Sequence, residues 1–109
     1  MTSLFSIPAG LPRLEEFSEI LARSGDVVVE RIISHGHTTP SGEWFDQDHG
    51  EWVALLQGHA RLVFNDGSVL DMHAGDWTII QAHQRHRVEA TTIDPPCVWI
   101  AIHFSPPSS

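Results

Sequence analysis

The sequence is poor in cysteine, in basic side chains and in long apolar runs, and each shortage closes a class of function. Cys97 is the only cysteine, so no disulfide can form within the chain and a reducing compartment is permitted. Six Lys and Arg stand against fourteen Asp and Glu, a net charge of −8. A phosphate backbone or an anionic bilayer repels such a chain, so neither nucleic acid nor a membrane is an expected partner. The basic cluster HQRHR at 83–87 is five residues in an acidic protein and reads as a loop with its own job. The longest unbroken apolar run, VWIAI, falls far below the ~20 residues that cross a bilayer. The opening MTSLFSIPAGLP has no basic n-region and is broken by Pro8, Gly10 and Pro12, so no secretory signal is expected and the cytoplasm is the expected location.

What is present is enough for one core. At 109 residues and 41% hydrophobic content the chain has the size of a single domain. In LPRLEEFSEILARSG the apolar residues Leu14, Phe17, Ile20 and Leu21 recur at helical spacing, Pro12 suits a first turn and Gly25 a C-terminal cap. One amphipathic helix is expected there, making residues 1–26 a helical N-terminal segment. VVVERIIS, EWVALLQ, HARLVF, SVLDM, WTIIQA, RVEATT and CVWIAIHF follow, rich in β-branched and aromatic residues and punctuated by NDG, AGD and DPP. Seven strands about ten residues apart predict an all-β sandwich or barrel over residues 27–104, with 105–109 as a flexible tail.

In EWVALLQ both alternating sets are apolar, Val53 and Leu55 on one side and Trp52, Ala54 and Leu56 on the other. The last strand repeats this with Cys97, Trp99, Ala101 and His103 against Val98, Ile100 and Ile102. Such outer faces call for a cover, either a partner subunit or the docked helix.

The most unusual stretch is DQDHGEWVALLQG at 46–58, where polar residues run straight into an apolar strand. Glu51 followed by six residues and Gly58 resembles the second half of the first cupin motif. GDWTIIQAHQRH resembles the second motif, with Gly75, then Gln81-Ala82-His83 at the usual Pro-x-Gly, then His86. Together with HRVEAT and WIAIHF, these residues are similar to small bacterial single-domain cupins over roughly residues 28–104. The resemblance implies a double-stranded β-helix, or jelly roll, with a metal site inside the barrel and a homodimer in solution. It also departs from the family: the His-x-His expected ahead of Glu51 falls on Phe45 and Gln47, and His35-Gly36-His37 lies too early to replace it.

Gln47, His49 and Glu51 share one parity and would all face inward if the segment were extended. His49, Glu51 and His86 form a two-His, one-carboxylate set that suits Zn, Fe, Mn or Ni, and Gln47 could add an amide oxygen. These four are the expected ligands of a divalent metal ion. The plainer reading makes DQDHG a polar loop with His49 in solvent. His103 shares a face with Trp99, as an acid/base group or extra ligand or equally as a hydrogen-bonded core histidine. His35 and His37 are expected at the surface, and His59 and His73 in solvent at hairpin ends. Asp46-x-Asp48 lacks the α/β context of a nucleotide transferase, and Asn65-Asp66-Gly67 is a hairpin turn. Trp44, Phe45, Trp77 and Trp99 are expected in the core, with one or two walling a pocket.

Two function classes remain. One is a metal-dependent enzyme acting on a small polar metabolite by isomerisation, decarboxylation or dioxygenation. The other is a non-catalytic cupin that binds or senses a small ligand, since fold alone does not choose.

Overall fold

A computed structural model describes residues 2–10 and 15–105, and within them the chain is built of strands. These are β1 (Phe17–Ser24), β2 (Val27–Ser34), β3 (Gly50–Gln57), β4 (His59–Phe64), β5 (Val69–His73), β6 (Trp77–Ile80), β7 (His86–Thr91) and β8 (Cys97–Phe104). They form a five-stranded sheet in the order β1-β2-β8-β3-β6 and a three-stranded sheet in the order β5-β4-β7. All pairings are antiparallel. Side chains from the two inner faces meet as one core of Val53, Leu55, Ala60, Leu62, Phe64, Met72, Ile80, Cys97, Trp99 and Ala101. The expected all-β class holds, and the two-sheet arrangement is consistent with a double-stranded β-helix.

The expected N-terminal helix is not formed. Residues 17–24 are β1, paired with β2, and Gly25 at φ 56° turns the chain between them instead of capping a helix. The register shifts between Ile20 and Ala22, a bulge at Leu21. An extra residue changes which face the following side chains take, so apolar residues separated by three and one mimic a helical stripe. Ile20 and Leu21 are exposed, so no buried apolar face exists here to hold a helix. Hydrogen bonds to β2 decide the outcome over local propensity. Pro12 and Leu14 lie outside the described residues, as do 106–109 of the expected tail.

The N-terminal turn at residues 3–6 meets the outer face of the large sheet at Arg31. Arg31 lies opposite Glu19 on β1 and Ile100 on β8 and is buried. Its guanidinium donates to the carbonyls of Leu4 at 3.1 Å and Ser6 at 2.7 Å and pairs with Glu19. Further along that sheet Trp77 is 60% exposed, with Ile79 exposed beside it and the Trp52 ring 5.9 Å away. No helix among the described residues is long and apolar enough to cross a membrane.

Gly58 closes the β3–β4 connection with φ 89°, a conformation that suits glycine. An added Cβ would lie 2.7 Å from Thr92 Oγ1 and 3.1 Å from the Cys97 Cα. Glycine at the end of the first motif thus lets the β3–β4 turn pack against Thr92 and the start of β8.

Candidate functional site: the barrel cavity

Strand alternation places one set of side chains inside. In the register of the large sheet Glu51 lies opposite His103, Val53 opposite Ala101 and Leu55 opposite Trp99. Ile32 also lies opposite Trp99, and Glu30 opposite Ala101. Between these strands and the inner face of β4 and β7 is a cavity of about 420 Å³. Its polar lining is Glu16, Ser18, Glu30, Gln47, Glu51, His86 and His103, and its walls are Ile32, Phe45, Val53, Leu62, Ile80, Val88 and Trp99.

Three of the four expected metal ligands, Gln47, Glu51 and His86, line this cavity; His49 does not. The alternation assumed for 47, 49 and 51 fails because β3 begins only at Gly50 and the chain bends at Asp48 and His49. His49 is carried to the side of His103, with Nε2 3.0 Å from His103 Nδ1 and its other nitrogen 3.2 Å from Asp48 Oδ1. Phe45, where the resemblance expects an imidazole, lays its ring 5.4 Å from that of His86. Among the described residues no group of three or more His, Cys, Asp or Glu side chains is placed to hold a metal ion. One amide, one carboxylate and one imidazole remain, which does not fit the expected four-ligand divalent site.

His86 is 5% exposed. Its Nδ1 lies 2.9 Å from the Gln84 carbonyl. A carbonyl only accepts, so Nδ1 carries a proton, and in the neutral ring Nε2 keeps a lone pair for the cavity. The same residue is tied to the first motif by a two-way backbone pair with Phe45. The second-motif turn keeps its shape although histidine replaces glycine: His83 adopts φ 61°. It is held there by its N–H on the Gln47 carbonyl at 2.6 Å and its ring on Asp46 Oδ1 at 2.8 Å. Such a conformation costs about 1–3 kcal/mol and persists where neighbours enforce it.

Glu51, 8% exposed, has His103 Nδ1 at 3.4 Å as its nearest ionisable partner. Burial raises its pKa above the ordinary value, an effect that Glu30 reinforces and His103, His86 and His49 partly offset. His103 is shared. Its Nε2 donates to Glu30 Oε1 at 3.0 Å, so in the neutral ring Nδ1 accepts from His49 rather than donating to Glu51. Gln47 Oε1 is buried with no hydrogen-bond partner.

Sequence reasoning left His103 open and overlooked Glu16, Ser18 and Glu30. Glu30 had a legible signal, since it alternates with Val28 and Ile32 on an otherwise apolar strand face. Trp99, expected in the core or on a pocket wall, is both: it is buried and donates to Ser34 Oγ at 3.0 Å. Ser34 in turn bonds Glu16 at the cavity edge.

Residues 29–103 match the cupin domain model. A "putative mannose-6-phosphate isomerase" from Ralstonia eutropha JMP134 is 35% identical, with 97% of this chain and 98% of that one aligned at a TM-score of 0.89. A cupin superfamily protein from Desulfitobacterium hafniense DCB-2 is 18% identical over 96% of this chain and all of that one, at a TM-score of 0.70. The polyketide cyclase RemF of Streptomyces resistomycificus is 16% identical over 84% of this chain and 66% of that one, also at 0.70. No curated protein matches. With both motifs, the two-sheet barrel and the family match agreeing, the chain belongs to the cupin domain family.

Proposed function

We propose that this cupin is an enzyme that binds a small, partly polar metabolite in the barrel and transfers a proton on it, as an isomerase does. One observation carries the reading: Glu51 and His86, both more than nine-tenths buried, line one cavity. Burial raises the pKa of the Glu51 carboxyl above its ordinary value, and the second ring nitrogen of His86 is left facing the cavity. A carboxyl group and an imidazole lining one cavity can abstract a proton and return it. Apolar walls exclude water and orient the ligand body. No step is assigned to a metal: of the four expected ligands only Gln47, Glu51 and His86 line the cavity.

The name of the Ralstonia relative points to a phosphorylated sugar. The described lining residues here include three glutamates and no Lys or Arg, so a phosphate would meet like charge. That substrate is not carried over.

Thermal-shift screening of hydroxylated and amino metabolites, followed by proton NMR of the hits in D2O, tests the reading. Exchange of a carbon-bound proton by the wild type and not by Glu51→Gln is the expected result. Hits that bind without exchange would replace it with the non-catalytic binder.

A homodimer belongs to the same proposal. Trp52, Trp77 and Ile79 make an outer apolar patch that a twofold partner would cover. Light scattering at micromolar concentration is expected to return twice the chain mass; the monomer mass would refute it.

A further inference from the structure

The hydrogen-bonding character of the cavity is one-sided. Glu16, Glu30 and Glu51 bring carboxylates to its described lining, and no Lys or Arg faces them. Several donors beside the cavity are engaged. Trp99 Nε1 is used by Ser34, the Ser34 hydroxyl by Glu16, and His103 Nε2 by Glu30. Left for a ligand are the Nε2 lone pair of His86, the oxygens of Glu51, and the carbonyl oxygen of Gln47, which is buried without a donor.

A buried carboxylate without a cation and a buried carbonyl without a donor are each costly, on the order of 1–3 kcal/mol for the neutral group and more for the charge. An anion would add repulsion to that cost. An alcohol would satisfy the acceptors but leave the charge. An ammonium group supplies up to three donors and a compensating charge from one small head, and the walls of Ile32, Val53, Leu62, Ile80 and Val88 suit an aliphatic or aromatic body.

We infer that the cavity selects a small organic amine, whose ammonium group sits between Glu51, His86 Nε2 and, after a small turn of its amide, Gln47 Oε1. This rests on the proposal that the cavity is the ligand site and adds the chemical class of the ligand. It also accounts for glutamine at 47: an amide oxygen can accept from an ammonium in a position where a protonated histidine would repel it.

Three probes of one shape separate the alternatives: cyclohexylamine, cyclohexanol and cyclohexanecarboxylate, titrated calorimetrically into the protein in EDTA. The amine is expected to bind at least tenfold more tightly than the alcohol, and the carboxylate not measurably. Glu51→Gln and Gln47→Leu should each weaken the amine on the order of tenfold and change the alcohol by less than about threefold, a tenfold loss being the size of one charge-assisted hydrogen bond. Amide chemical-shift changes on amine addition should centre on Gln47, Glu51 and His86. Equal binding of all three probes, tighter binding of the carboxylate, amine binding insensitive to both variants, or shifts centred elsewhere would each overturn the inference. If no probe binds while neutral or anionic hits from the metabolite screen shift the same three residues, the amine assignment fails and the cavity stands as the ligand site. If nothing binds in either experiment, both fail.

Discussion

Trp99→Ala is expected to lower the free energy of unfolding by about 3–5 kcal/mol, the range for emptying a large aromatic position in a core. The residue is 4% exposed and belongs to the main core while also walling the cavity. Its loss removes packing from both sheets and leaves Ser34 Oγ without the indole donor. Trp99→Phe separates the two contributions, because it restores most of the ring and not the hydrogen bond. That variant should cost less than the alanine, with about 1 kcal/mol from the missing bond. Urea denaturation followed by far-UV circular dichroism reads both. An alanine variant within 1 kcal/mol of the wild type would mean that Trp99 is not part of the cooperative core.

The second large effect has the opposite sign. Burial holds the Glu51 pKa above its ordinary value of 4.5, so the unfolded chain ionises at a lower pH than the folded one. The stability that Glu51 contributes is therefore fully present below about pH 4.5 and is lost as pH rises through the folded-state pKa. Glutamine has the shape of the protonated acid and never ionises. Glu51→Gln should accordingly unfold at a higher temperature than the wild type at pH 7, by an amount on the order of 1–3 kcal/mol, the cost of an uncompensated buried polar group. The difference should shrink to nothing below about pH 4.5. Scanning calorimetry of both proteins from pH 4 to 8 checks the sign, and a variant less stable than the wild type at pH 7 would show that Glu51 has a stabilising cationic partner.

The seven strands expected from β-branched and aromatic runs separated by turn residues are present as β2 to β8. The eighth strand was not legible. The bulge at Leu21 breaks its alternation, and the interaction that makes it a strand is pairing to β2, which no local pattern encodes. At the site, the spacing of the two motifs located Glu51, His86 and Gln47, since motif spacing reflects fixed positions along paired strands. It misplaced His49, because parity holds only within a strand and the strand starts one residue later, at Gly50. The His49–His103–Glu30 chain joins residues 54 and 73 positions apart, and sequence distance carries no trace of it.

The place of β8 in the large sheet bears on how the protein comes to exist. Among the described residues this strand lies between β2 and β3 and joins them in that sheet. A chain emerging from the ribosome would therefore hold β1 and β2 to the rest through the segment after β2, which bonds β7 at Thr39–Val88 and Phe45–His86, with the large sheet open until residues 97–104 appeared. Only then could Glu51 and Glu30 come to stand on either side of His103. The barrel and its cavity are thus expected to close in one late, long-range event rather than to grow strand by strand, the kind of assembly that is slow because distant parts of the chain must meet before any contact rewards them.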